Sequence, residues 1–140
     1  MTTFIAIDFE TATTRRDSAC AVGLAACCGS RIVLSRTYLI RPPAARFTFT
    51  GLHGLDWDDV RDAPTFAELW PTLRAWIDDA AFVVAHNAAF DRSVLHALLC
   101  PLPAAGSADA VRLHRGHRPR AVGHPADEAA RRLPATAHPA

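Results

Sequence analysis

The chain alternates between short apolar runs and polar breaks, and the period within each run predicts its element. The first run, Phe4-Ile5-Ala6-Ile7-Asp8-Phe9-Glu10-Thr11, is rich in β-branched and aromatic residues, which favour extended backbone. Residues i and i+2 of a strand face the same side. Ile5, Ile7 and Phe9 are therefore expected in one layer, with Asp8 and Glu10 projecting together from the other. Residues 18–28 are small and apolar and predict a second strand, and Gly29-Ser30 supplies a hairpin turn. A third strand is expected over 31–40, with Ile32, Leu34, Tyr38 and Ile40 alternating onto one buried face. Pro42-Pro43 ends it, because neither proline can donate to a ladder. The three strands predict an antiparallel meander.

Residues 47–64 read as a loop holding Gly51-Leu52-His53-Gly54, whose glycines permit unusual backbone angles and close approach of a ligand. Asp56, with Asp59 three residues on, is placed to cap a single helical turn. A longer helix is expected after Pro64-Thr65: Phe66, Leu69, Leu73 and Ile77 recur at helical spacing, and Trp70 and Trp76 widen the stripe. The tryptophans follow the apolar face, so they read as core. Pro71 falls inside this pattern and predicts a kink. The continuous apolar run from Ala80 to Ala85 suits a strand covered on both faces. A helix over 90–99 follows, with Phe90, Val94, Leu95, Leu98 and Leu99 on one side and Asp91 in its first turn, where the helix dipole favours negative charge.

Periodicity then fades. Residues 101–140 hold six of the ten prolines and six arginines against only Asp109, Asp127 and Glu128. On composition this is a disordered or poorly packed tail, which divides the chain into an α/β domain over 1–100 and a tail over 101–140. The whole chain has a formal net charge of +1 and is 50% hydrophobic, which excludes both a wholly disordered chain and a polyanion-coating protein. Its basic residues are all arginine. No apolar run approaches the roughly 18–20 residues needed to span a membrane, and the N-terminus lacks the pattern of a signal peptide. A cytoplasmic protein without a membrane partner is expected. Cys20, Cys27, Cys28 and Cys100 fit no zinc-ligand spacing and read as buried free thiols.

The chemistry lies where the apolar runs end. Two carboxylates side by side repel unless something neutralises them, and Mg²⁺ prefers carboxylate oxygen while keeping several waters. Asp8 and Glu10 are thus candidate metal ligands, against the plainer reading of a strand that surfaces with two solvated acids.

Three features taken in order, Asp8-x-Glu10-Thr11, the Gly-Leu-His-Gly loop, and Ala85-His86-Asn87-Ala88-Ala89-Phe90-Asp91, resemble the DEDD superfamily of 3′–5′ exonucleases. The likeness covers residues 4–99 and is nearest to the proofreading (epsilon) subunit of bacterial DNA polymerase III. It implies an RNase H-like mixed sheet, with three antiparallel strands, then parallel strands, and flanking helices. It also implies catalytic, metal-binding roles for Asp8, Glu10 and Asp91, two Mg²⁺ or Mn²⁺ ions, and contact of Thr11 and His53 with substrate. Substrates would be DNA or RNA 3′ ends, with a DNA polymerase as a further partner and a place in replication and repair.

The resemblance is incomplete. The family's third motif is a His followed five positions later by an Asp, and nothing after Asp91 has that spacing. His124 and Asp127 are the nearest candidates, three residues apart beside Pro125. The fold is therefore expected to be truncated or altered past Leu99. Two readings follow, a 3′–5′ exonuclease-type domain impaired by that loss and a catalytically inactive nucleic-acid-binding or protein-docking module of the same fold. The arginine-rich tail acting as a phosphate-binding arm is a third.

Overall fold

The structure, a computed structural model, describes residues 2–103 and 113–115. Strands β1 (Thr3–Thr11), β2 (Ala19–Cys28) and β3 (Arg31–Leu39) form the expected antiparallel meander. Strands β4 (Val83–Ala85) and β5 (Leu113–Arg115) add in parallel on the other side of β1, giving a five-stranded mixed sheet in the order β3-β2-β1-β4-β5. Between β3 and β4 lie α1 (Thr50–His53), α2 (Trp57–Val60) and α3 (Phe66–Asp78), and α4 (Ala88–Leu99) follows β4.

One core joins the sheet to its helices. Ile5, Ile7 and Phe9 are buried with Val22 and Leu24 of β2, as the alternation in β1 requires. Leu69, Leu73 and Ile77 of α3 and Val94, Leu95 and Leu98 of α4 complete it. Both long helices thus bury the stripe that their periodicity marks. A second, smaller cluster of Ala12, Cys20 and Val60, with Phe47, Leu55 and Trp57 against it, sits under the end of β1.

Local chemistry sets the helix ends. Asp56 and Asp59 form a reciprocal capping box at α2, and Thr65 and Glu68 form another at α3. Pro71 does not interrupt α3. The amide it lacks would have bonded to the Ala67 carbonyl, and both residues are exposed, so water can satisfy that oxygen.

The third strand departs from expectation. Its alternation predicts Ile32 and Leu34 on one buried face, yet they are 53% and 44% exposed. A bulge between Ala26 and Cys27 places Leu34 opposite Ala26 but Ile32 opposite Cys27. One extra residue in a ladder reverses the face of everything beyond it. β3 also lies at the sheet edge, where burial is least.

β5 comes from the segment that composition marks as a tail. Leu113, which has only Val111 near it in a stretch otherwise without apolar periodicity, is buried in the core. The sheet therefore recruits residues from beyond position 100, while most of 101–140 lies outside the described residues. Of the cysteines, Cys20 and Cys27 are buried, Cys28 is half-buried and Cys100 is exposed, all as free thiols. Among the described residues, no helix is long and apolar enough to cross a membrane.

The capping box at α3 gives a direct check. Thr65→Ala should destabilise the domain by about 1 kcal/mol, read as a lower urea midpoint with an unchanged m-value.

Candidate active site

The end of β1 is where the acids meet. Asp8 is exposed and Glu10 half-buried, both on the face of β1 opposite Ile5, Ile7 and Phe9. A bulge lies between Glu10 and Thr11, where β2 passes from Ala21 to Ala19 and leaves Cys20 unpaired in the register. Because the bulge falls after Glu10, it leaves the shared orientation of the two acids intact.

Asp91 arrives from α4. It heads the buried stripe Asp91, Val94, Leu95, Leu98, so helical spacing carries its carboxyl inward, and the residue is 1% exposed. Oδ1 accepts the backbone N–H of Phe9 at 3.0 Å. That donor is available because β4 is short. The Ile5 amide donates to the Phe82 carbonyl, so by the two-residue period the Phe9 amide points the same way, beyond the end of β4 at Ala85. An unmet strand donor thus fixes a buried carboxylate. Burial pushes the Asp91 carboxyl up to about 6; the Phe9 hydrogen bond opposes this, and the charges of Asp8 and Glu10 add to it.

His53 packs against the end of β1. It is buried, with Nδ1 accepting the Leu55 N–H at 3.1 Å and Nε2 lying 3.0 Å from the Thr11 carbonyl. An amide can only donate and a carbonyl can only accept, so the ring is the neutral tautomer with its proton on Nε2. The ring also stands edge-on to Phe47 and lies 3.9 Å from Cys20 Sγ. His53 therefore pins α1 to the end of β1. Gly54, which caps α1 with a φ of 78°, is the glycine of this loop that needs left-handed backbone. Thr11 is buried, and next to it the Ala12 carbonyl accepts from the Thr48 and Phe49 amides. Cys20 Sγ is 3.5 Å from the Glu10 carbonyl, and burial together with the nearby Glu10 charge pushes its thiol up to about 12. It is a packing residue, not a nucleophile.

The sequence reads residues 12–17 as a polar turn after β1 but gives no sign of the Cys20 bulge. In that turn Arg15 is paired with Asp17, and the guanidinium of Arg16 lies 4.8 Å from the Phe90 ring. Neither contact has a periodic signal; the sequence reads Phe90 as part of its helix's apolar face. His124 and Asp127 lie outside the described residues. Among those described, no three His, Cys, Asp or Glu side chains are gathered so as to hold a metal ion by themselves.

Residues 5–99 match the exonuclease family described as RNase T, and the chain belongs to that exonuclease family. Its fold is similar to exonuclease X in complex with 5′-overhanging duplex DNA, at 23% identity and a TM-score of 0.57 over 71% of this chain and 65% of that one. It is also similar to the zinc-bound form of the E. coli ExoI–ssDNA complex, at 14% identity and a TM-score of 0.63 over 71% of this chain and 24% of that one. A third likeness is to a 3′-exonuclease recognising the 3′ end of a histone mRNA stem-loop, at 14% identity and a TM-score of 0.60 over 70% of this chain and 40% of that one. The chain thus spans less than two thirds of each of these structures. No curated protein matches the sequence significantly.

The Asp91 carboxyl predicts a pH signature. Its folded value, about 6, is raised above the ordinary 3.8, so the folded state holds its proton more tightly. That contribution to stability is complete below about pH 4 and is lost as pH rises through about 6. Asp91→Asn keeps an oxygen for the Phe9 amide without the charge. Urea unfolding in chelator should find this variant more stable than the parent at pH 7, with the gap closing towards pH 4.

Proposed function

We propose that this chain is a 3′–5′ exonuclease-type domain that hydrolyses phosphodiester bonds at nucleic-acid 3′ ends with the help of two divalent ions. The observation that carries the reading is the buried Asp91 carboxyl, raised towards neutrality beside Asp8 and Glu10, within a chain of the exonuclease family. Three oxygen donors that disfavour one another's charge suit a hard cation such as Mg²⁺ or Mn²⁺. Mg²⁺ needs only one or two carboxylates, the rest of its shell being water and substrate phosphate, so an open arrangement of acids fits it.

Asp8, Glu10 and Asp91 would hold the ions. When bound, such ions supply Lewis-acid activation of water and stabilisation of the leaving 3′-oxygen. The protein's own part is orientation. The Phe9 amide fixes one oxygen of Asp91, and His53 holds the Thr11 carbonyl in place. Thr11 and the exposed residues beside it would border the terminal nucleotide, with His53 acting on that border from behind. Both DNA and RNA ends are within the proposal, as is association with a DNA polymerase.

A second reading has its own support. No His-Asp pair with the family's third spacing follows Asp91, and a general base contributes about 10²–10⁴-fold. A chain of this fold that worked without such a base would be a non-catalytic nucleic-acid-binding or docking module. The boundary between the domain and a tail after residue 100 belongs to the same proposal, with β5 as the part of the tail that the sheet uses.

A 5′-labelled single strand, incubated with Mg²⁺, Mn²⁺ or chelator, separates the two. The exonuclease reading predicts a ladder shortening from the 3′ end, lost in chelator. Asp8→Ala should slow it more than about a hundredfold, since loss of a ligand's outer partner alone costs 10–100-fold. Well-folded protein that leaves the strand intact with either metal would establish the binding module instead.

A further inference from the structure

We infer that Arg16, held against the ring of Phe90, is a phosphate-binding residue that fastens the substrate's sugar–phosphate backbone beside the acidic site. The identity of the ligand as nucleic acid rests on the exonuclease reading; the placement of the charge does not.

The β1–β2 turn is locked by its own hydrogen bonds. The Ala12 amide donates to the Ser18 carbonyl and the Ser18 amide to the Arg15 carbonyl. Ser18 Oγ accepts the Thr13 amide and donates to the Arg15 carbonyl at 2.7 Å. The turn carries two neighbouring arginines with different fates. Arg15 is spent on Asp17, with Nε and Nη2 donating to its two carboxylate oxygens at 2.9 and 2.8 Å. Arg16 is exposed, and its guanidinium carbon lies 4.8 Å from the centroid of the Phe90 ring.

A guanidinium seated over a ring still has N–H groups turned away from it, and these suit phosphate oxygens two at a time. The ring also removes much of the rotamer freedom that a solvated arginine would lose on binding. Position then gives the contact a use. Phe90 adjoins Asp91, whose carboxyl is tied to Phe9 between Asp8 and Glu10. Those acids repel a polyanion, so a cation held on the ring of the residue next to Asp91 offsets the repulsion and sets where the backbone lies. Arg16 and Phe90 come from elements far apart in sequence, the β1–β2 turn and α4, so their contact requires the folded end of the sheet.

The test is anisotropy of a labelled single-stranded oligonucleotide in chelator, where no hydrolysis intrudes, between 50 and 200 mM salt. Four proteins are compared: the parent, Arg16→Ala, Arg15→Ala and Phe90→Leu. Arg16→Ala should weaken binding roughly tenfold, as loss of a charge-assisted contact does. It should also lower the slope of log affinity against log salt by about 0.7, the share of one phosphate on a single strand. Phe90→Leu, which keeps the charge but not the π face, should fall between Arg16→Ala and the parent. Arg15→Ala removes the same charge from an already paired residue and should change affinity less than about twofold.

Equal losses from Arg15→Ala and Arg16→Ala would overturn the assignment, since a general field would then suffice. An unchanged salt slope in Arg16→Ala would overturn it as well, as would a parent that binds no strand at 50 mM salt. Hydrolysis by the parent in Mg²⁺ is scored separately. Hydrolysis without Arg16-dependent binding sinks this inference alone, and Arg16-dependent binding without hydrolysis sinks the catalytic reading alone.

Discussion

The hydrogen bond from the Phe9 amide to Asp91 is the contact on which the candidate site depends. It joins the central strand to α4 across 82 residues of sequence. It also holds a carboxyl in a place that burial alone would make unfavourable. A buried carboxylate without a donor would lose its charge or be expelled. Here one donor from the sheet meets part of its requirement, while Asp8 and Glu10 push the other way. A divalent cation, as proposed, would ease the repulsion among the three carboxyls. Fold and proposed chemistry meet at this atom pair: the short β4 that leaves the Phe9 amide unmet is also the strand that delivers α4.

The rest of the site is assembled by fastening the end of β1. Glu10, Thr11 and Ala12 each have a carbonyl engaged from outside the regular ladder, by Cys20, by His53 and by the Thr48 and Phe49 amides respectively. The small cluster of Ala12, Cys20 and Val60 lies beneath. Such support restricts first-contact groups to one geometry, which a preorganised site requires. It also engages both ring nitrogens of His53, at the Thr11 carbonyl and the Leu55 amide. The Arg16–Phe90 pair continues the same construction on the outer side.

Legibility in the sequence followed the length scale of each signal. Asp8 and Glu10 were readable because strand alternation is uninterrupted between them. Asp91 was readable as a residue of interest through its motif, but a helix dipole gave it an equally good reason to be solvated; only the packed stripe Asp91-Val94-Leu98 shows it buried. The face of Ile32 was lost to a one-residue bulge, which leaves no mark in a period-two pattern. β5 escaped notice because a three-residue strand has no periodicity to detect. The role of His53 depended on partners at Thr11 and Leu55, and the pairing of Arg16 with Phe90 on a contact between remote elements. The third motif remained unmatched by any described residue.

The central claim is that burial and mutual repulsion at Asp91, Asp8 and Glu10 create a demand for a divalent cation. Thermal unfolding at pH 7.5 against increasing Mg²⁺ or Mn²⁺, for the parent and for Asp91→Asn, measures that demand without reference to any substrate. A ligand that binds only the folded state stabilises it in proportion to the logarithm of its concentration above Kd. The account predicts a midpoint that climbs with added ion for the parent and hardly moves for Asp91→Asn. A parent midpoint indifferent to both ions, or an equal climb in the variant, would contradict it.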